Sequence, residues 1–390
     1  MKILILPDFF SGLKSWYVYG DKPKGMPAVY NLFLQLGKKN DIIFNGILVN
    51  KFVSREINFD NGSVLKLHKL ALFDKYHFIW KFIAFIYTLF LAIKFQKYNN
   101  NDIVYGMAVF APVAMITGKV FNKKSVGRMF GTLSSEMIRK KQFFRLYSRN
   151  LIDVLAIKFP CDIMISTEDG TDYKFFANYI NPNKKVHILY NGIESELKNI
   201  LLNNSKRTID ISKKIEFVYV GRLSYWKRQD LALKVIYEIR KNGHNAFITF
   251  IGDGPDKNKI IKEAKDLNLI NYVKIIYGIE QNKLANLISN YDVSLFLYDN
   301  GNLGNALWES CFSANIVCIR ESGDLRGIFI DDFNSIVVGS KDNPRKIARK
   351  IMKKLTRDDI NLFGERIRSR VGNIIQDWEI RIDNEIDLIK

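Results

Sequence analysis

V-Y-V-G-R-L-S-Y-W-K-R-Q-D, Val218 to Asp230, is the stretch that decides the fold of this chain. A strand ends at Gly221, and Arg222, Lys227 and Arg228 occupy the turn before the next helix. Strand, glycine turn and helix in that order make one unit of a parallel α/β sheet. In open sheets of this kind ligands collect beyond the carboxyl ends of the strands, and cations there suit a diphosphate. Arg binds phosphate oxygens through its planar fork and Lys as a point charge. A solvated basic turn has the same spacing, so the stretch alone leaves both readings open.

The same rhythm extends outward in both directions. Upstream, strands are expected at Lys2 to Leu6, Asp41 to Leu48, Asp102 to Tyr105, Ser125 to Met129, Ile163 to Ser166 and Val186 to Leu189. Helical stretches at Ala28 to Lys38, Tyr76 to Lys97 and Ser134 to Lys158 lie between them. Downstream, strands are expected at Glu216 to Val220, Ala246 to Ile251, Val273 to Tyr277, Val293 to Leu297, Ile316 to Ile319 and Ser335 to Val338. At 390 residues the chain is long for one core. The pattern predicts two doubly wound, Rossmann-like domains, 1–190 and 191–372, parted at the turn Asn191-Gly192, with a helix at 373–390 that returns to the first.

With 47% hydrophobic and 25% charged residues the composition is that of an ordinary globular protein, which excludes disordered and collagen-like chains. The three cysteines, Cys161, Cys311 and Cys318, have no C-x-x-C spacing, so reduced thiols in a cytoplasmic protein and no metal site are expected. The opening M-K-I-L-I-L-P-D reads as a first strand, too short in its apolar run for a signal peptide. The apolar run Phe82 to Ile93 is shorter than the roughly 18 residues of a membrane span, so a buried or interfacial helix is expected there.

The net charge of +19 is uneven: residues 1–190 hold 27 Lys and Arg against 13 Asp and Glu, a balance of +14. The first half is therefore the part that meets something negative. In the expected helix Ser134 to Lys158, Lys141, Arg145 and Arg149 share one face beside Phe143, Phe144 and Tyr147, with Arg139 and Lys140 ahead of them. Together with the Tyr76 to Phe95 stretch and Lys75, Lys81, Lys94 and Lys97, this suits a protein lying on an anionic membrane. No nucleic-acid recognition motif is present, and the first turn, D-F-F-S-G, lacks a dinucleotide-binding G-x-G-x-x-G. The long connection Pro7 to Lys24 carries Trp16, Tyr17 and Tyr19, which either stack on a sugar acceptor or pack on the domain.

Two further turns fall at the edge that Val218 to Asp230 defines. I-G-D-G-P-D, Ile251 to Asp256, ends one strand; Y-D-N-G-N-L-G-N-A-L-W-E-S, Tyr298 to Ser310, ends another. In the latter the amides of Leu303, Gly304 and Asn305 are expected to face out of a helix N-terminus as an anion site. Glu309 then either accepts hydrogen bonds from the vicinal hydroxyls of a ribose or is solvated on the helix face.

The order of these motifs, Asn191-Gly192, V-G-R-L-x-x-x-K, G-D-G-P, Y-G-I at Tyr277 to Ile279, the turn with Glu309, and D-L-R-G-I-F-I-D-D-F-N-S-I-V-V from Asp324, resembles the C-terminal half of glycosyltransferase family 4 over about residues 186–380. These are retaining enzymes of the GT-B fold. The resemblance implies that Arg222 and Lys227 hold the diphosphate of a nucleotide-sugar donor, that Gly254 belongs to the donor edge, and that Gly278 and Ile279 face the base. Glu309 matches the second Glu of the family's E-x7-E motif, on the donor ribose, and Gly25, in K-P-K-G-M-P, resembles a loop that approaches the phosphates. No metal or other cofactor is implied. The implied acceptor is a glycan or polyprenyl-linked glycan of bacterial surface polysaccharide such as O-antigen, capsule or exopolysaccharide, at the inner face of the plasma membrane.

The chain departs from the family twice. The first Glu of the motif, which contacts the donor sugar, is replaced by Gly301, with Asp299, Asn300 and Asn302 as the nearby polar side chains. A His near the reacting sugar is replaced by Phe130, followed by Gly131. The same departures fit a relative that has lost catalysis and binds a glycan or nucleotide.

Overall fold

Runs of Ile, Val and Leu long enough to be buried on both faces sort here into two separate sheets. The computed structural model describes residues 1–9, 11–23, 27–71, 77–203, 208–277, 279, 281–325 and 327–390. One compact unit comprises Met1–Glu168, Asp172–Tyr190 and Trp378–Lys390; the other comprises Asp169–Thr171 and Asn191–Asp377.

The first unit holds β1 (Lys2–Leu6), β2 (Ile43–Asn50), β3 (Arg55–Asn58), β4 (Val64–Lys69), β5 (Ile103–Met107), β6 (Lys124–Met129), β7 (Ile163–Glu168) and β8 (Val186–Tyr190), in the order β3-β4-β2-β1-β5-β6-β7-β8. All neighbours are parallel except β3 and β4. The second holds β9 (Lys214–Val220), β10 (Asn245–Ile251), β11 (Val273–Ile276), β12 (Val293–Phe296), β13 (Ile316–Arg320) and β14 (Ile336–Val338), all parallel, in the order β11-β10-β9-β12-β13-β14. All six expected strands of the second half are present; β3 and β4 were not anticipated. They form an edge hairpin whose alternating charged residues interrupt any apolar run.

A repeated device sets the register. Asp102, Asp162 and Asp292 each stand just before a strand and accept a hydrogen bond from the neighbouring strand's backbone: Lys2 N at 2.8 Å, Ser125 N at 2.7 Å and Glu216 N at 2.7 Å. Each carboxylate satisfies a donor at a sheet edge where the ladder has ended.

The returning helix Trp378–Ile389 packs into the first unit's core through Trp378, Ile382, Ile386 and Ile389. Under it lies a buried ion cluster: Glu385 pairs with Arg128 at 3.0 Å and with Arg381, and Tyr105 Oη donates to it. Arg128 also donates to Thr167 Oγ1 at 2.8 Å, and Arg381 to the Tyr190 carbonyl at 3.0 Å. Burial works to raise the Glu385 carboxyl, but the two guanidinium charges hold it down to about 2.

Two expectations for the basic half change. Ser134 to Lys158 is three short helices, Ser134–Arg139, Phe143–Arg149 and Leu151–Lys158. The chain breaks at Lys141, which adopts a left-handed φ of 55°, so Lys141, Arg145 and Arg149 do not share one helix face. The breaks fold Asp153 back onto Thr132 and Ser134, whose hydroxyls donate to it. The helix His77–Asn99 includes Ile79–Asn99, long and apolar enough to cross a membrane by length and composition. Yet Trp80, Ala84, Thr88, Leu91 and Ala92 are buried inside the unit, while Phe82, Ile86 and Phe90 point outward, 63%, 49% and 59% exposed. It is a packed helix with an apolar outer ridge.

Candidate active site

In the second sheet the strand order reverses between β9 and β12, and the turns that follow these two strands form the candidate site. After β10, a Cβ on Gly254 would lie 2.1 Å from the Leu223 carbonyl oxygen, so the turn after β10 packs backbone to backbone on the turn after β9. Only glycine allows that approach.

Arg222 is exposed, with its carbonyl bound by Gln229 Nε2 at 2.9 Å. The Lys227 ammonium lies 3.5 Å from the centre of the Tyr298 ring and 4.1 Å from that of Trp226. Tyr219 Oη donates to the Lys227 carbonyl, and Tyr298 Oη donates to the Val220 carbonyl at 2.8 Å, so the Lys227 backbone and the Tyr298 wall of the cage are both held. Burial pushes the Lys227 ammonium down to about 7, against the opposing pull of Asp169. Among the described residues no carboxylate forms an ion pair with Lys227 or Arg222. The third cation, Arg228, is already committed, to Asp230 at 3.0 Å and Asp299 at 2.9 Å, and its pKa is raised by those hydrogen bonds.

The turn after β12 is tied to the first by Asp299 N–H, which donates to the Trp226 carbonyl at 3.0 Å. Gly301 follows at a left-handed φ of 66°. Of the three amides expected to face an anion, two are occupied: Leu303 N–H donates to the Asp169 carbonyl at 2.9 Å and Gly304 N–H to the Asn302 carbonyl at 3.0 Å. The helix Asn305–Phe312 starts one residue later, and the donors left at its first turn are Asn305 and Ala306 N–H. The Asn305 side chain accepts from Asn191 Nδ2 at 2.9 Å. Glu309 is 5% exposed, so it is not a solvated surface carboxylate.

Ile279 is half-buried against Val218, Val220 and Ile251. Gly25 and Gly278 lie outside the described residues. In the first unit Trp16 and Tyr17 are packed into the core, Trp16 edge-on to Tyr30 at 5.3 Å, which leaves Tyr19 as the exposed aromatic among the loop's described residues. Phe130 is half-buried under the Arg128 guanidinium at 4.6 Å, and Gly131 follows at φ 81°.

Sequence reasoning missed three features. The cage of Trp226 and Tyr298 was legible only as aromatics at strand ends. Asp169, in the loop after β7, groups with the second unit although its strand belongs to the first. Asp8 follows β1 where the first sheet's order reverses; burial pushes its carboxyl up to about 6, with the Phe9 N–H and Lys81 pulling it down. Among the described residues no three His, Cys, Asp or Glu side chains gather as a metal site.

Residues 203–369 match the model of the family described as glycosyl transferases group 1. An uncharacterized glycosyltransferase of Methanocaldococcus jannaschii is 25% identical over 260 residues, and the match spans 64% of this chain and 64% of that relative, a little under two thirds of each. Among solved structures, HepE of Anabaena in complex with UDP and glucose superposes with a TM-score of 0.67 at 14% identity, over 99% of this chain and 98% of that one. Sucrose-phosphate synthase of Thermosynechococcus elongatus gives 0.71 at 13% identity, over 100% and 98%. A glycosyltransferase of Rickettsia africae gives 0.66 at 14% identity, over 100% and 97%. The chain thus has the GT-B fold, and the stretch that matches the group 1 glycosyl transferases lies within its second unit.

Proposed function

We propose that the protein transfers a sugar, with retention of configuration, from a nucleotide-diphosphate sugar to a glycan or lipid-linked acceptor. The carrying observation is Lys227, half-caged by two aromatic rings and without a carboxylate partner among the described residues, beside an exposed Arg222 at the sheet's switch point. A diphosphate supplies the charge this pair lacks. As the sugar leaves, negative charge grows on the diphosphate, and two fixed cations stabilise it in place of a metal ion. Glu309 holds the donor ribose, and the buried position of its carboxylate favours a fixed contact over a solvated one. Same-face attack by the acceptor hydroxyl gives retention, the departing diphosphate oxygen taking its proton. HepE and the sucrose-phosphate synthase share the fold, and HepE's complexes hold UDP, which makes UDP-sugars the first donors to test.

On the acceptor side, this reading assigns Asp8 and Phe130, at the carboxyl edge of the first sheet, to acceptor binding. The outward ridge of Phe82, Ile86 and Phe90, with Lys81, Lys94 and Lys97 on the same helix, fits docking on an anionic cytoplasmic leaflet. That location suits a lipid-linked acceptor of bacterial surface polysaccharide. The second reading, a binding protein without turnover, is favoured by Gly301 and Phe130.

A thermal-shift screen of nucleotides and their sugars separates the cases. A ligand at a hundred times its Kd adds about 2.7 kcal/mol to stability. A shift with one nucleotide sugar followed by transfer to an acceptor supports the enzyme; a shift without hydrolysis or transfer supports the binding protein; no shift with any nucleotide contradicts the donor site.

A further inference from the structure

Among the described residues, the acidic side chain that acts on Lys227 forms no ion pair, and it comes from outside the domain's own sequence. Asp169 follows β7, and its loop is fixed on the second unit by two backbone hydrogen bonds, from Leu303 N to the Asp169 carbonyl at 2.9 Å and from Asp324 N to the Gly170 carbonyl at 3.2 Å. The side chain is oriented by Thr171, whose N–H, at 3.0 Å, and hydroxyl both donate to Oδ1. A Cβ on Gly301 would stand against this loop, 3.6 Å from Thr171 Cγ2, 3.7 Å from the Asp169 carbonyl oxygen and 4.0 Å from Oδ2, the other carboxylate oxygen. The same carboxylate acts electrostatically on Lys227. A bare glycine and a carboxylate thus stand side by side, within electrostatic reach of the caged cation.

Asp299 is the turn's own carboxylate; Asn300 and Asn302 are neutral amides, and Asn302 Oδ1 is buried without a partner among the described residues. Asp299 is shared by Arg228 and Arg320. Asn302 donates to the Arg320 carbonyl at 2.9 Å and to Ser322 Oγ at 2.7 Å. Asn300 Oδ1 accepts from Gly301 N at 3.2 Å. Asp169 is therefore the acid in position to meet whatever group is joined to a diphosphate held at Lys227.

We propose that Asp169 is the sugar-binding carboxylate of this site, accepting hydrogen bonds from hydroxyls of the donor sugar beside Gly301. The proposal rests on the reading of the cradle as a nucleotide-sugar site. A carboxylate accepts from two adjacent hydroxyls at once, so the class of donor it selects is a sugar with free vicinal hydroxyls on that side. Nucleotide binding and sugar binding are then separable, with Lys227 serving the first and Asp169 the second.

Calorimetric titration of UDP, GDP and ADP and of their common sugar conjugates into the wild type, Asp169→Asn and Thr171→Val tests this. Asn keeps an oxygen for the Thr171 bonds, so the loop is preserved in Asp169→Asn, and Thr171→Val weakens the loop while keeping the carboxylate. The expected result is that Asp169→Asn binds the best sugar conjugate about tenfold or more weaker and the free nucleotide within about twofold, with Thr171→Val, which loses one of the two bonds that orient the carboxylate, showing a smaller loss on the conjugate and none on the nucleotide. Equal weakening of nucleotide and conjugate, or no weakening, overturns the assignment, as does a wild type that gains nothing from any sugar. Deoxy-sugar conjugates probe the same contact without touching the fold: one is expected to lose about tenfold on the wild type and nothing further on Asp169→Asn. A series in which every deoxy conjugate matches its parent overturns the proposal even where Asp169→Asn does not fold. A wild type that binds no nucleotide at all removes the donor reading itself, whereas wild-type binding with an indifferent Asp169→Asn removes only Asp169.

Discussion

The chain contains two gatherings of cations and carboxylates, and they are built on opposite terms. In the first unit Glu385 sits between Arg128 and Arg381, all three at most 3% exposed, with Tyr105 donating to the same carboxylate. In the second, Lys227 faces aromatic rings, Arg222 faces solvent, and the carboxylate closest in influence, Asp169, does not pair with either. A buried cluster in which one carboxylate pairs with both of its cations holds a helix in place; a site whose cations have no carboxylate paired to them among the described residues has binding free energy to give to a ligand. The difference separates structural from functional electrostatics more sharply than charge counting does, since the more basic half of the chain is not the half with the unmatched cage.

The comparison breaks most readily at Glu385. Glu385→Ala leaves two guanidinium groups buried without compensation and is expected to cost about 3–5 kcal/mol of stability, read from denaturant unfolding. A neutral outcome would mean the cluster is not a lock. Its pH dependence has a fixed sign. The folded carboxyl is held below its unfolded value, so its contribution is fully present above the unfolded pKa and is lost as the pH falls from there through about 2.

Lys227→Ala is expected to remove about 2.7–4 kcal/mol of transition-state stabilisation, a fall of about 10²–10³ in kcat/KM, while the melting temperature holds or rises because a poorly solvated ammonium is gone. A large loss of stability instead would place Lys227 with the structural cations. The pH profile sharpens this. With its free-protein pKa near 7, Lys227 must take up a proton to meet a diphosphate at higher pH. Affinity for a nucleotide diphosphate should therefore fall by up to about tenfold per pH unit above 7, and Lys227→Arg should flatten that slope. Titrations in buffers of different ionisation enthalpy count the proton directly.

The smallest effect concerns the outer ridge of helix His77–Asn99. Reversing Lys94 and Lys97 to Glu is expected to weaken binding to phosphatidylserine vesicles by about 1 kcal/mol per charge removed, with sedimentation as the readout. Wild-type protein that stays in the supernatant at low salt contradicts membrane docking.

Much of the fold was legible because both sheets are parallel and their strands are continuous apolar runs. The edge hairpin β3–β4 was not, for its charges alternate with its apolar residues. The three-way break of Ser134 to Lys158 was hidden because nothing in the local sequence signals the left-handed turn at Lys141. At the candidate site, the placement of Arg222, Lys227 and Glu309 on turns and a helix after parallel strands follows from local motifs, and the roles given to them are those proposed above. Asp169 was not, because it reaches the cradle through tertiary contacts made by a loop more than 50 residues upstream of Lys227 in the chain. The occupied amides of Leu303 and Gly304 have the same cause: the partner of Leu303 is that loop, and local sequence cannot show it.

The central claim is that Lys227 and Arg222 hold a nucleotide diphosphate, and calorimetric titration of UDP, GDP and ADP into the wild type and Lys227→Ala tests it most directly. The account predicts that one of these nucleotides binds the wild type with uptake of a proton above pH 7 and binds Lys227→Ala at least about thirtyfold weaker. Equal affinity for the two proteins, or no binding by the wild type, would contradict it.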